Sequence, residues 1–251
     1  TQRRSLRRRP LTRDEKETLA SSVGGSWSVV WLENLRQRLR VARLLFLNAK
    51  LRLTMREAYE VHKNIVAWDR RFSEDRIPDE ALGLDRLTLR IMRWAMQSWE
   101  RVRFVNKYLG GTWLPRLELD VVPALACAGH FVILADRPPR TLDDYVAAGR
   151  AVQRLWLTAT RLELWLQPEL TPLVFASYSR DGVRFSEQPT SLAMADEVSR
   201  RLDALLGVEE SRRAVWIARI GAGAVPVARS LRLPLERLMV NSEAECLGSH
   251  E

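Results

Sequence analysis

Two short segments near opposite ends of the chain carry the residue types that grip an anion. Arg3-Arg4-Ser5-Leu6-Arg7 sets guanidinium groups around a hydroxyl, and Ala228-Arg229-Ser230-Leu231-Arg232-Leu233-Pro234 repeats that chemistry. A guanidinium offers planar, paired N–H donors and a serine adds an O–H donor, a set suited to a phosphate group. Taken singly, the first segment equally reads as a frayed basic tail and the second as a solvated loop.

Other chemistries fail on spacing. His62, His130 and His250 lie far apart, with no carboxylate at metal-ligand spacing, and neither Cys127 nor Cys246 sits in a CxxC pair; no metal is expected. Cys127 and His130 fall in an apolar run and are expected as packed core residues. The sequence has no GxSxG and no HExxH. Gly221-Ala222-Gly223 lacks the third glycine of a dinucleotide loop, and Pro226 interrupts any helix after it. Asp143-Asp144 and Glu209-Glu210 sit where carboxylates cap helices. None of these patterns therefore points to a catalytic side chain.

Charge narrows the partners. Among 251 residues, 40 are basic and 31 acidic, a net charge of +9. Residues 1–9 hold five arginines and no acid, so the basicity gathers at one end rather than in a stripe over a face. Nucleic acid is not the expected partner; an arm of this kind on a duplex would bind with strong salt dependence. With 46% hydrophobic residues the chain has material for one large domain or two small ones, and a single domain over 1–251 is expected. The longest apolar run, 121–135, is too short to cross a bilayer. No secretory signal opens the chain and two thiols are present, so a cytoplasmic protein is expected. The first residue, Thr1, suggests a piece of a longer chain.

The elements that must position these groups follow from periodicity and caps. Helices are predicted over Thr12–Val23 (Thr12 with Glu15 as a capping box), Leu35–Leu47, Thr54–Asp69 (Thr54 with Glu57), Leu84–Tyr108, Thr141–Leu166 (Thr141 with Asp144) and Ser191–Leu206. Strands are predicted over Ser26–Leu32, Leu125–Ala135 and Ala214–Ile220, and a short strand or turn over Leu173–Tyr178. Residues 70–84 read as a loop and 112–123 as irregular. Strands and helices mix without βαβ repetition, which gives an α+β class. The helix after Thr141 is rich in small residues (Ala147, Ala148, Gly149, Ala151, Ala159), which let a backbone or flat ligand approach. Leu84–Tyr108 carries more apolar bulk, including Trp94 and Trp99, than one face of a monomer needs, and reads either as the face of a homodimer or as an ordinary buried core helix.

An Arg/Ser/Arg grip at each end with a small-residue helix between resembles the nitroreductase superfamily of FMN-dependent oxidoreductases. Arg3, Ser5 and Arg7 match its R-x-S-x-R phosphate segment, with Arg4 as backbone neighbour, and Arg232, shortly before Pro234, matches its C-terminal phosphate arginine. The run from Gly149 to Thr160 resembles the G-x-A-x-Q-x-x-x-L-x-A helix, Gln167-Pro168 a following pair, and Arg219-Ile220-Gly221 the R-[IV]-G strand end. Residues 119–238 match well, 1–23 passably and 24–118 poorly. Two departures stand out: Gly25–Leu32 lacks the asparagine that the family usually has near the flavin ring, and Glu163 replaces the glycine of Leu-Gly-Leu. This divergent form looks most like nitroreductase domains fused behind a ubiquitin-activating-enzyme-like adenylyltransferase domain.

The resemblance implies a mixed, mostly antiparallel sheet flanked by helices, a homodimer with FMN at its interface, and hydride transfer from NAD(P)H through flavin to a small-molecule acceptor. The alternative is a catalytically silent domain of the same fold, used for dimerisation or partner binding.

Overall fold

The structure, a computed structural model, describes residues 2–108 and 110–239; Cys246 and His250 lie outside them. The chain opens with α1 (Arg13–Ser22), β1 (Trp27–Leu32), α2 (Leu35–Thr54) and α3 (Arg56–Ile65). An insert follows, with β2 (Val66–Ala67), β3 (Phe72–Ser73), β4 (Ile77–Pro78) and a 3₁₀ turn over Asp79–Leu82. Next come α4 (Arg86–Ala95), α5 (Trp99–Tyr108), α6 (Trp113–Arg116), a π turn (Leu117–Val121) and α7 (Val122–Leu125). The last part holds β5 (Gly129–Ala135), α8 (Leu142–Arg161), β6 (Trp165–Pro168), α9 (Thr171–Arg180), α10 (Pro189–Leu206), α11 (Val208–Arg213), β7 (Ala214–Gly221) and β8 (Arg229–Ser230).

The main sheet has the order β1-β5-β7-β6, every neighbouring pair antiparallel. β5 is central and buried along its whole length. Its alternation divides the core: Phe131 and Ile133 pack with Leu19 of α1, with Val23 just after it, and with Ala151, Leu155 and Ala159 of α8, while Val132 and Leu134 pack with Val41, Ala42 and Leu45 of α2. The small residues Ala151 and Ala159 are thus spent on helix–sheet packing. Gly149 is different: a Cβ there would meet nothing within 4 Å.

Caps mark the helix starts as anticipated at Thr12 with Glu15 and at Thr141 with Asp144, and Asn34 with Gln37 forms a third capping box before α2. Thr54 does not cap α3. It is the last residue of α2, its hydroxyl donates back to the Lys50 and Leu51 carbonyls, and Met55 stands at the start of α3. The pattern over Leu84–Tyr108 is two helices, not one. Asp85 caps α4, and the Ser98 hydroxyl accepts from the Arg101 N–H, starting α5 afresh. Residues 113–125 wind helically where irregular chain was expected, so the central strand begins only at Gly129. Leu173–Tyr178 lies inside α9, whose first turn holds Pro172 and which buries Phe175 and Ala176; tertiary packing overrides the local strand composition.

The helix predicted to Leu166 ends at Arg161, because β6 is needed as the sheet's edge. The reversal runs through Glu163, whose φ of 57° is left-handed. Glycine is the residue such a helix terminus favours, so Glu163 stores backbone strain; its side chain is exposed. Glu163→Gly is expected to raise stability by about 0.5–1 kcal/mol, relief of left-handed strain less the extra unfolded-state entropy of glycine. A thermal melt should show an upward shift of a few degrees; an unchanged or lower midpoint would contradict the assignment.

Candidate functional site

The N-terminal arginine segment is pinned across one end of the main sheet. The Gln2 N–H donates to Leu166 O (3.1 Å), that of Leu6 to Ala126 O (2.8 Å) and that of Arg7 to Ala222 O (2.8 Å). Gln2 Nε2 reaches Ala224 O (3.0 Å), and Gln2 Oε1 accepts from the Arg4 N–H (3.2 Å). Gln2 and Leu6 are buried, Arg3 is half-buried, and Arg4, Ser5 and Arg7 are exposed. Gly221 explains the close approach: a Cβ there would lie 3.2 Å from Arg7 O and from Leu6 Cβ.

Beneath the segment lies a buried ionic cluster. Arg219 on β7 is 2% exposed. Its guanidinium donates to Arg4 O (3.2 Å), Gln2 O (3.4 Å) and Arg3 O. Glu169 Oε1 stands 4.0 Å from Arg219 Nε, and Glu169 Oε2 lies 2.7 Å from His130 Nδ1. The other imidazole nitrogen faces Ala124 O at 2.9 Å, with Cys127 Sγ at 3.7 Å. Burial works against a charged His130, but the Glu169 carboxylate and the hydrogen bonds of Cys127 and Glu169 outweigh it and raise its pKa. With acceptors at both ring nitrogens, His130 is a cation at neutral pH. Cys127 and His130 are packed core residues, as the sequence suggested. The carboxylate partner was hidden by its separation of 39 residues from His130; its one signal was an acid directly after Gln167-Pro168.

At the other end, Arg229 and Ser230 pair with Phe72 and Ser73 of the insert. The Leu231 N–H donates to Ser73 O (2.7 Å) and the Ser230 hydroxyl to Arg76 O (3.1 Å). Arg232 follows, exposed. The insert also meets the first segment, since a Cβ on Gly83 would lie 3.5–3.6 Å from atoms of Arg3 and Arg4. Both arginine segments therefore border residues 66–84. Among the described residues no hydrogen bond or ion pair joins Arg232 to Arg3, Ser5 or Arg7.

The donor set fits a phosphate monoester such as that of FMN. Arg9 is paired with Glu15 at 2.7 Å, whereas Arg3, Arg4 and Arg7 have no carboxylate partner among the described residues. Burial, with Arg52 and Arg219 as cationic neighbours, lowers the pKa of Arg3. Gln167 Oε1, in the Gln-Pro pair, is a buried acceptor without a partner among the described residues. Among the described residues no group of three or more His, Cys, Asp or Glu could hold a metal ion, and no helix is long and apolar enough to cross a membrane.

No family model matches the chain, and no curated protein matches it. Among solved structures it is similar to the FMN-dependent nitroreductase NfnB from Mycobacterium smegmatis, in complex with NADPH. The TM-score is 0.51 at 15% identity, over 96% of this chain and 94% of the other. The chain has a nitroreductase-like fold. A nitroreductase-like family protein from Bacillus cereus matches with TM-score 0.46 and 13% identity over 97% and 91% of the two chains. A nitroreductase with bound FMN from Bacteroides fragilis matches with TM-score 0.43 and 12% identity over 100% and 92%. At 15% identity the likeness to the Mycobacterium smegmatis protein establishes architecture alone: helices packed around a mostly antiparallel sheet.

Proposed function

We propose that the chain is an FMN-binding oxidoreductase domain that passes hydride from NAD(P)H through flavin to a small-molecule acceptor. The observation that carries the reading is the pinned Arg3-Arg4-Ser5-Leu6-Arg7 segment, whose three guanidinium groups, without a carboxylate partner among the described residues, and hydroxyl border a nitroreductase-like sheet. Arg3, Arg4, Ser5 and Arg7 would hold the flavin phosphate, with Arg232 from the C-terminal segment. In this reading two chains form a homodimer with the flavin at their interface, in the cytoplasm, as a single domain of a longer chain that also carries an adenylyltransferase-like domain. The exposed apolar residues Leu87, Ile91 and Trp94 of α4 are consistent with an uncovered face.

When bound, the flavin supplies the hydride chemistry. The protein's tasks are to bind, orient and exclude water. No side chain acts as nucleophile: Cys127 and His130 are fully buried and engaged with each other, Glu169 and backbone carbonyls.

The test is a visible spectrum of the purified protein followed by FMN titration of the apo chain. Arg232→Ala is expected to weaken binding about ten- to a hundredfold, the loss of one charged donor to phosphate. Arg229→Ala should do less, since the contribution of Arg229 to β8 is made by its backbone. Equal affinities of the two variants would remove the assignment of Arg232. Absence of any flavin binding by the wild type would leave the catalytically silent partner-binding domain as the reading.

A further inference from the structure

We propose that Arg219 is a positioning residue that holds residues 2–4 in the conformation needed for anion binding, with Glu169 and His130 holding Arg219 in turn. Three consecutive carbonyls, those of Gln2, Arg3 and Arg4, converge on this one buried guanidinium. The guanidinium spreads its N–H groups over two terminal nitrogens in a rigid plane and so reaches the three carbonyls in fixed directions; a lysine ammonium also has three N–H donors, but on one nitrogen at the end of a flexible stem. Turned toward Arg219, these carbonyls cannot face an anion outside, where they would repel it.

The arrangement closes on itself. Leu6 N–H is bound to Ala126 O, at the end of α7. Glu169 links Arg219 to His130, and His130 Nε2 donates to Ala124 O in the same helix. The segment is thus tied to α7 twice, once directly and once through Arg219, Glu169 and His130. None of these three side chains lies where it could touch a ligand, being buried beneath the segment, so their contribution acts through residues 2–7.

The proposal's affinity arm rests on the flavin reading above; its conformational arm does not. Amide hydrogen exchange and FMN titration are measured on the full chain for the wild type and Arg219→Lys. The expected result is exchange at Leu6 and Arg7 at least about tenfold faster, an unchanged rate at Phe131–Ile133 in the central strand, and FMN binding about tenfold weaker. Unchanged exchange at Leu6 and Arg7 overturns the proposal. So does equal acceleration in the central strand, which makes Arg219 a general stabiliser, and so does loosened exchange with undiminished FMN affinity. If the wild type binds no FMN, the flavin reading falls while the exchange data still decide whether Arg219 holds the segment.

Should Arg219→Lys not fold, Gly221→Ala crowds the same segment, its Cβ pressing on Arg7 O and Leu6 Cβ as well as on Ala128 N. It should loosen Leu6 and Arg7 and lower FMN affinity together; a change in neither overturns the proposal.

Discussion

Replacing Glu169 by leucine is expected to lower folding stability by about 3–5 kcal/mol, the cost of leaving buried charges without their partner. Glu169 is the one carboxylate within 4.0 Å of both His130 and Arg219 among the described residues, and both cations are at most 2% exposed. Calorimetry should place the unfolding midpoint about 6–20 °C lower; a loss below about 1 kcal/mol would show that the cluster is not electrostatically coupled. The pH dependence has a definite sign. The pKa of folded His130 is raised above its ordinary 6.5, so its stabilising contribution is complete below about pH 6.5 and is lost as pH rises through the folded value. The gap between wild type and Glu169→Leu should therefore narrow on the alkaline side.

Asp79→Ala is the second change expected to act strongly, at about 1–3 kcal/mol, because it removes a buried carboxylate that accepts from three backbone N–H groups at once. The Asp79 carboxylate accepts from the N–H groups of Asp69 (3.1 Å), Arg70 (3.2 Å) and Glu80 (2.9 Å). It thereby holds Asp69 at a φ of 57°, a left-handed conformation with its own strain. The insert shaped by these bonds is the platform for β8 and hence for Arg232. Hydrogen exchange should show faster exchange at Arg229 and Leu231, whose N–H groups bond Arg71 O and Ser73 O. Loosening confined to residues 69–82 would separate the insert from the C-terminal segment. Asp79→Asn, which keeps one acceptor oxygen, should lose less.

These two carboxylates show where sequence reading reaches its end. Local signals were legible: capping boxes at Thr12 and Thr141, alternation in Trp27–Leu32, and the strand at Ala214–Gly221 depend on neighbours within a few residues. So was the donor character of Arg3-Arg4-Ser5-Leu6-Arg7, because residue type alone makes guanidinium groups and hydroxyls donors. The apolar stripe over Leu84–Tyr108 was visible too, but not its break, which a single serine hydroxyl makes at Ser98.

Tertiary structure decided the rest. Leu173–Tyr178 is helical because burying Phe175 and Ala176 against α2 and α10 outweighs a weak local preference. Glu163 sits left-handed because the chain must turn from α8 into an edge strand, whatever residue stands there. Arg219, in the R-[IV]-G run, was visible as a motif letter. That its guanidinium gathers the carbonyls of residues 2–4, balanced by Glu169 and His130, depends on contacts spanning 39 to 217 positions. Such pairings carry no periodic trace in a sequence. They exist because burying a charge is tolerable only where the fold brings an opposite charge or a row of carbonyls to meet it.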